Sequence, residues 1–109
     1  MTNADLAKAL GLEILSEGDL CREIHGAYAG DLLSWVMGRA GESCVWATIM
    51  TNVNVVAVAS LADVSATVIC EKSDIPADVI DTARAKGVTL FRTALPMYEF
   101  CVEVSKLLK

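Results

Sequence analysis

The chain has 109 residues, with 9 Lys and Arg against 14 Asp and Glu, for a formal net charge of −5. That length suits one domain around one core. The hydrophobic share is 54% before the 7 glycines are counted, already above the roughly 45–50% that hydrophobic residues and glycine together usually reach. Disorder needs low hydrophobicity and high charge, so it is excluded. The surplus predicts a sheet buried on both faces, an apolar oligomer interface, or both. The acidic balance argues against nucleic-acid binding, which rests on Lys and Arg neutralising phosphates; Arg84, Lys86 and Arg92 are the densest basic cluster. The longest strictly apolar run before Ser60 is Val55 to Ala59, against about 20 residues for a spanning helix. Met1 to Asp5 lacks the basic and apolar regions of a signal peptide. A soluble, cytoplasmic chain with no membrane partner is the expectation.

In chain order, Asn3 is placed to cap a short helix with Leu6, Ala7 and Leu10 on one stripe and Gly11 at its end. Leu12 to Leu15 read as a short extended piece. Leu20 to Ile24 alternate weakly as a further strand. Gly26-Ala27-Tyr28-Ala29-Gly30 reads as a loop between two permissive glycines. Asp31 then reads as the cap of a helix whose face is Leu32, Leu33, Val36, Met37 and Ala40, closed by Gly41. Val45 to Met50 is a strand, and Thr51 or Asn52 caps a helix to about Ala62 that is apolar almost all round. Ala66 to Cys70 is an uninterrupted buried strand. Asp74 and Pro76 start a helix with Val79, Ile80 and Ala83 inward, ended by Gly87. Val88 to Phe91 is the last strand, and Pro96 opens a helix carrying Met97, Cys101, Val104 and Leu108 on one face.

Strands alternating with helices imply parallel pairing through crossovers, and a continuous apolar strand belongs to a sheet covered on both faces. The prediction is a three-layer α/β/α domain with a mainly parallel sheet, spanning 1–109. In such sheets ligands bind beyond the carboxyl ends of the strands. That rule selects Thr51 and Asn52, Glu71 and Lys72, and Arg92 and Thr93. The free amides of a helix start favour an anion, and Arg92 offers a positive fork. Thr51, Asn52 and Thr93 are also what any helix uses as caps, and capping is the preferred reading. The Gly26 to Asp31 stretch matches neither the dinucleotide nor the P-loop glycine pattern, and a tight strand-to-helix connection is favoured over a phosphate cradle.

Cys21, Cys44, Cys70 and Cys101 are widely spaced, form no C-x-x-C, and have only His25 to complete a metal set. They read as reduced thiols, with Cys70 and Cys101 at core positions. His25 has only nearby Glu23 as an orienting partner in sequence, so a structural histidine is favoured over a general base. Trp35 and Arg39 stand four apart on one helix, suited to a cation–π pair or an interface patch. Trp46 reads as core. No nucleophile motif, paired-carboxylate signature or metal cluster is present, so no catalytic residue, metal or cofactor is assigned.

Arg22-Glu23-Ile24-His25-Gly26-Ala27-Tyr28-Ala29-Gly30-Asp31-Leu32-Leu33-Ser34 resembles the DRTGG domain family, whose Asp-Arg and Thr-Gly-Gly pattern is followed by Tyr and Asp-Leu-Leu-Ser. Arg22, Gly26, Tyr28 and Asp31 to Ser34 keep the pattern; Cys21, His25 and Ala27 depart from it. Further likeness lies at Ala47-Thr48-Ile49, Thr51, Asn54 and Val56 to Ala59, so the resemblance runs from roughly residue 3 to 105. It implies an accessory domain of the kind found in CBS-containing pyrophosphatases and long phosphotransacetylases. It is also similar to the N-terminal domain of HPr kinase/phosphorylase, whose P-loop lies in another domain. Regulation or dimerisation is the implied role, with redox or kinase proteins as implied partners.

The candidate ligand-binding residues are therefore Gly26, Tyr28, Gly30, Asp31, Thr51, Asn52, Asn54, Arg92 and Thr93. The first reading is a non-catalytic, homodimeric regulatory module that senses a small anionic ligand such as a nucleotide. The second is a purely structural dimerisation or docking domain for a redox or kinase complex. The third is a phosphocarrier or thiol enzyme using His25 or Cys21.

Overall fold

The computed structural model describes residues 1–108. Five helices, α1 (Asn3–Leu10), α2 (Leu33–Arg39), α3 (Val53–Ala62), α4 (Ala77–Lys86) and α5 (Met97–Leu107), surround five strands, β1 (Glu13–Ser16), β2 (Ala27–Ala29), β3 (Val45–Thr48), β4 (Ala66–Ile69) and β5 (Leu90–Arg92). The sheet runs β1-β5-β4-β3-β2, parallel throughout except where β1 pairs antiparallel with β5.

The period-two alternation of strand side chains sorts the core into two layers. Trp46, Ile69 and Leu90 pack with Val36 of α2, Val55 and Val56 of α3, and Val79 and Ala83 of α4. Val45, Ala47, Ala66, Val68 and Phe91 pack on the opposite face with Leu6 of α1 and with Phe100 and Val104 of α5. The expected three-layer α/β/α arrangement is what forms. The four parallel strands lie in chain order, and their three crossover helices share one face.

Several local expectations are corrected. Thr2, not Asn3, caps α1: its Oγ1 accepts from the Asp5 amide at 3.2 Å, and Asp5 Oδ2 accepts from the Thr2 amide at 3.0 Å. The bond from the Thr2 amide, the largest cause, holds the Asp5 carboxyl below its usual range. Asn3 is fully buried, and its Nδ2 donates to the carbonyls of Asp19 and Ser65. Residues 20–24 form no strand, only an isolated bridge from Thr2 to Glu23. Their carbonyls at Leu20 and Arg22 instead accept from the Ala4 and Asn3 amides, which a helix start leaves free.

The glycine-flanked 26–30 stretch is not a loop but holds β2, paired Ala27 to Val45 and Ala29 to Ala47. Asp31 does not cap α2. Its Oδ1 accepts from Thr48 Oγ1 at 2.7 Å and from the Ile49 amide at 3.0 Å. Leu32 occupies the cap position with no side-chain bond, and Ala40 rather than Gly41 closes the helix. Of the predicted α2 face only Val36 is buried, while Leu32 and Met37 are 56% and 41% exposed. On α5 the buried pair is Phe100 and Val104, with Met97, Cys101 and Leu108 at its margin.

Candidate functional site

The structure separates the nine candidate residues into four places. Gly26, with a φ of 101°, sits at the start of β2, where its carbonyl accepts from the Val45 amide at 3.0 Å. Arg22, from the same motif, lies at that end too. It donates through Nη1 to Asp63 Oδ1 at 2.9 Å, and through Nη2 to the Asp63 carbonyl at 2.7 Å and Ser43 Oγ at 3.0 Å. Asp63 is the left-handed residue that ends α3, so Arg22 clamps a helix terminus. Tyr28 is the middle residue of β2, and Gly30 and Asp31 follow its opposite end. The motif of 22–34 is therefore laid along a strand and spread over both ends of the sheet, where no single ligand loop forms.

Thr51, Asn52 and Asn54 surround the start of α3, and there Asn52 acts as a cap, its Oδ1 accepting from the Asn54 amide at 2.9 Å. Thr93 is buried, and its Oγ1 accepts from the Leu95 amide at 3.2 Å. Arg92 points the other way. Its Nε and Nη2 form a two-bond fork on the Glu13 carboxylate at 2.9 and 3.1 Å. With β4 between them, β5 and β3 are roughly 10 Å apart, so Arg92 does not join Asn52. The physical reason is the strand order. Ligand crevices open where the order reverses and helices depart to opposite faces; between β2 and β5 it does not reverse.

What the structure does assemble is a cleft of about 380 Å³ between β2 and α2, lined by Tyr28, Ala29, Gly30, Asp31, Leu32, Trp35 and Arg39. Gly30 fixes its floor, donating to the Ala47 carbonyl at 3.1 Å and accepting from Trp46 Nε1 at 2.9 Å. The Tyr28 ring lies over Gly30, where a Cβ would meet Tyr28 Cε2 at 3.2 Å. Asp31 Oδ1 is occupied by the Thr48 and Ile49 bonds, and Oδ2 accepts from no described residue. Trp35 is 51% exposed, and the Arg39 guanidinium stands 3.8 Å from its ring centroid. Arg22, Arg84 and Arg92 all have acceptors within the chain. Among the described residues, Arg39 is the arginine whose N–H groups have none.

The cleft thus offers an aromatic face, an open cation and a carboxylate oxygen. Trp35 and Arg39 were visible in the sequence as a helical pair but were not counted among the ligand residues; exposure is what distinguishes them. A larger cleft of about 530 Å³, between α1 and α5, is lined by Leu10, Leu95, Tyr98, Glu99 and others and holds none of the nine candidates.

The thiols and the imidazole stand apart from this cleft. Burial pushes the Cys70 thiol up to about 12 and raises Cys44 and Cys101 as well. Cys21 and His25 are exposed, and the His25 ring has no hydrogen-bond partner among the described residues. No group of three or more His, Cys, Asp or Glu suited to a metal occurs among the described residues, and no helix there is long and apolar enough to cross a membrane.

No protein-family model matches the chain, and no curated protein matches it either. Among solved structures it is similar to the CBS and DRTGG domains of the regulatory region of Clostridium perfringens pyrophosphatase, complexed with the activator diadenosine tetraphosphate. The TM-score is 0.74 at 10% identity, over 92% of this chain and 46% of that one. The fold is DRTGG-like. The chain spans about half the length of that regulatory region.

Proposed function

We propose that this chain is a single DRTGG-like domain acting as a non-catalytic regulatory module, a homodimer that senses a small anionic ligand of the nucleotide class. The observation that carries the reading is the cleft between β2 and α2, where the exposed Trp35 ring meets the only described arginine without an acceptor, Arg39, beside Asp31. A nucleotide uses all three groups: the base stacks on the indole, a phosphate takes the guanidinium fork, and Asp31 Oδ2 accepts from a hydroxyl or amino group. Base stacking on an aromatic side chain contributes about 1–3 kcal/mol. Support also comes from the fold shared with a regulatory region whose complex holds a dinucleoside tetraphosphate.

Thermal unfolding with adenosine mono-, di- and triphosphates and diadenosine tetraphosphate tests the reading. A ligand at 100 times its Kd adds about 2.7 kcal/mol of stability. The shift is expected to vanish in Trp35→Ala and in Arg39→Ala. Inorganic phosphate alone is expected to give a much smaller effect. If no nucleotide moves the transition, the sensing role fails. The docking-domain reading then takes its place, favoured by the exposed apolar side chains of Leu32, Trp35 and Met37 on α2.

A further inference from the structure

The sheet has two edges, and they are built differently. The β1 edge is irregular, with a register shift between Ile14 and Ser16. Arg84 Nε covers its Leu15 carbonyl at 3.0 Å, and Glu13 and Glu17 charge it. Bulges, covers and charges are the usual means of keeping an edge from pairing with another chain. Among the described residues, the β2 edge has none of them. From Ile24 to Gly30 there is no Asp, Glu, Lys or Arg and no proline, and Ala27 and Ala29 are exposed.

Pairing with β3 uses alternate residues of β2. The Gly26 carbonyl accepts from Val45, the Gly30 amide donates to Ala47, and in a parallel ladder Tyr28 supplies the two bonds between. Ala27 and Ala29 therefore direct their amides and carbonyls outward, with small side chains that allow close approach.

We infer that two copies of this chain join through β2, antiparallel about a two-fold axis at Tyr28, to make one continuous sheet. In that register Ala27 faces Ala29 of the second copy and Ala29 faces Ala27. Each pair exchanges two N–H···O bonds, so the outward backbone groups of Ala27 are matched by those of Ala29 on the second copy, and the reverse. Charge selects the same surface. Each copy carries −5, and this edge brings two of them together along an uncharged stretch. The inference rests on the dimer half of the proposed function and specifies its seam.

Light scattering across protein concentration, together with amide hydrogen exchange, tests it on the full chain. The wild type is expected to be a dimer, with the Ala27 and Ala29 amides protected. Ala29→Pro removes an outward N–H and leaves the β3 ladder whole, so it is expected to raise the dimer dissociation constant roughly 100-fold or more. Ala29→Lys, which places like charges across the axis, is expected to give monomers with an unchanged circular dichroism spectrum. A dimeric wild type whose Ala29→Lys form stays dimeric, or whose Ala27 and Ala29 amides exchange freely, overturns the seam while leaving the dimer reading standing. A wild type that is monomeric at every concentration overturns both.

Discussion

Asn3 and Thr67 are both fully buried polar residues, and their energetic consequences differ. Asn3 is satisfied on every side: besides its two donor bonds, its Oδ1 accepts from Ser65 Oγ at 2.8 Å. It ties α1 to residue 19 and to the start of β4. Thr67 Oγ1 has no partner among the described residues, so its desolvation is uncompensated. Thr67→Val keeps the shape and removes the stranded hydroxyl. It is expected to raise stability by about 1 kcal/mol, read as a higher urea midpoint at unchanged slope.

The thiols set an alkaline limit. An unfolded cysteine has its ordinary value of 9.0, whereas Cys70 in the fold stands at about 12, raised first by burial and then by the negative charges of Cys101, Glu71 and Asp31. Above pH 9 the unfolded chain therefore binds fewer protons than the folded one, so stability falls. The contribution is complete below pH 9 and is lost as pH rises from 9 toward 12. Urea midpoints between pH 8 and 11 are expected to fall, and to fall less in Cys70→Ala.

At the scale of elements, the turn after β1 is the most constrained joint. Gly18 has a φ of 53°, and a Cβ there would lie 2.6 Å from the Thr89 amide nitrogen and 2.8 Å from the Gly87 carbonyl. The close approach lets Thr89 Oγ1 donate to the Glu17 carbonyl and accept from the Asp19 amide. Gly18→Ala is expected to cost about 2–4 kcal/mol from backbone strain and overpacking. Gly11 has a similar φ of 61° and open space around it, so Gly11→Ala serves as the control, at about 1 kcal/mol. Denaturant unfolding of the pair separates crowding from conformation.

Elements with strong local signals were legible in the chain. Gly11 and Gly87 end α1 and α4 in the left-handed conformation as read, and β3, β4 and the α3 crossover stand where apolar runs placed them. β2 was not legible, because two glycines around three small residues carry a loop signal and its strand character comes from pairing with Val45 to Ala47. Asp31 misled for a related reason. An acidic residue before an apolar run looks like a cap, and only the arrival of β3 gives its carboxylate better donors in Thr48 and Ile49.

At the scale of the molecule, strand order decides where binding surfaces lie. With β2 to β5 in sequence order and their crossover helices on one face, the ends of β3 and β5 are kept apart, and the β2 side is left open. The cleft beside Trp35 and the unprotected edge of β2 therefore occupy the same flank, adjacent to α2. The molecule's exposed apolar side chains include Leu32, Trp35 and Met37 of that flank.

The chain by itself determined its class, its alternation of strands and helices, and most helix ends, because those depend on composition and on residues a few positions apart. Only the tertiary structure decided the sheet's two edges, the partner of Arg92 and the exposure of Trp35 beside the Arg39 guanidinium. Arg92 and Glu13 are 79 positions apart. No local pattern encodes such a pairing, since it arises from the order in which the strands close the sheet.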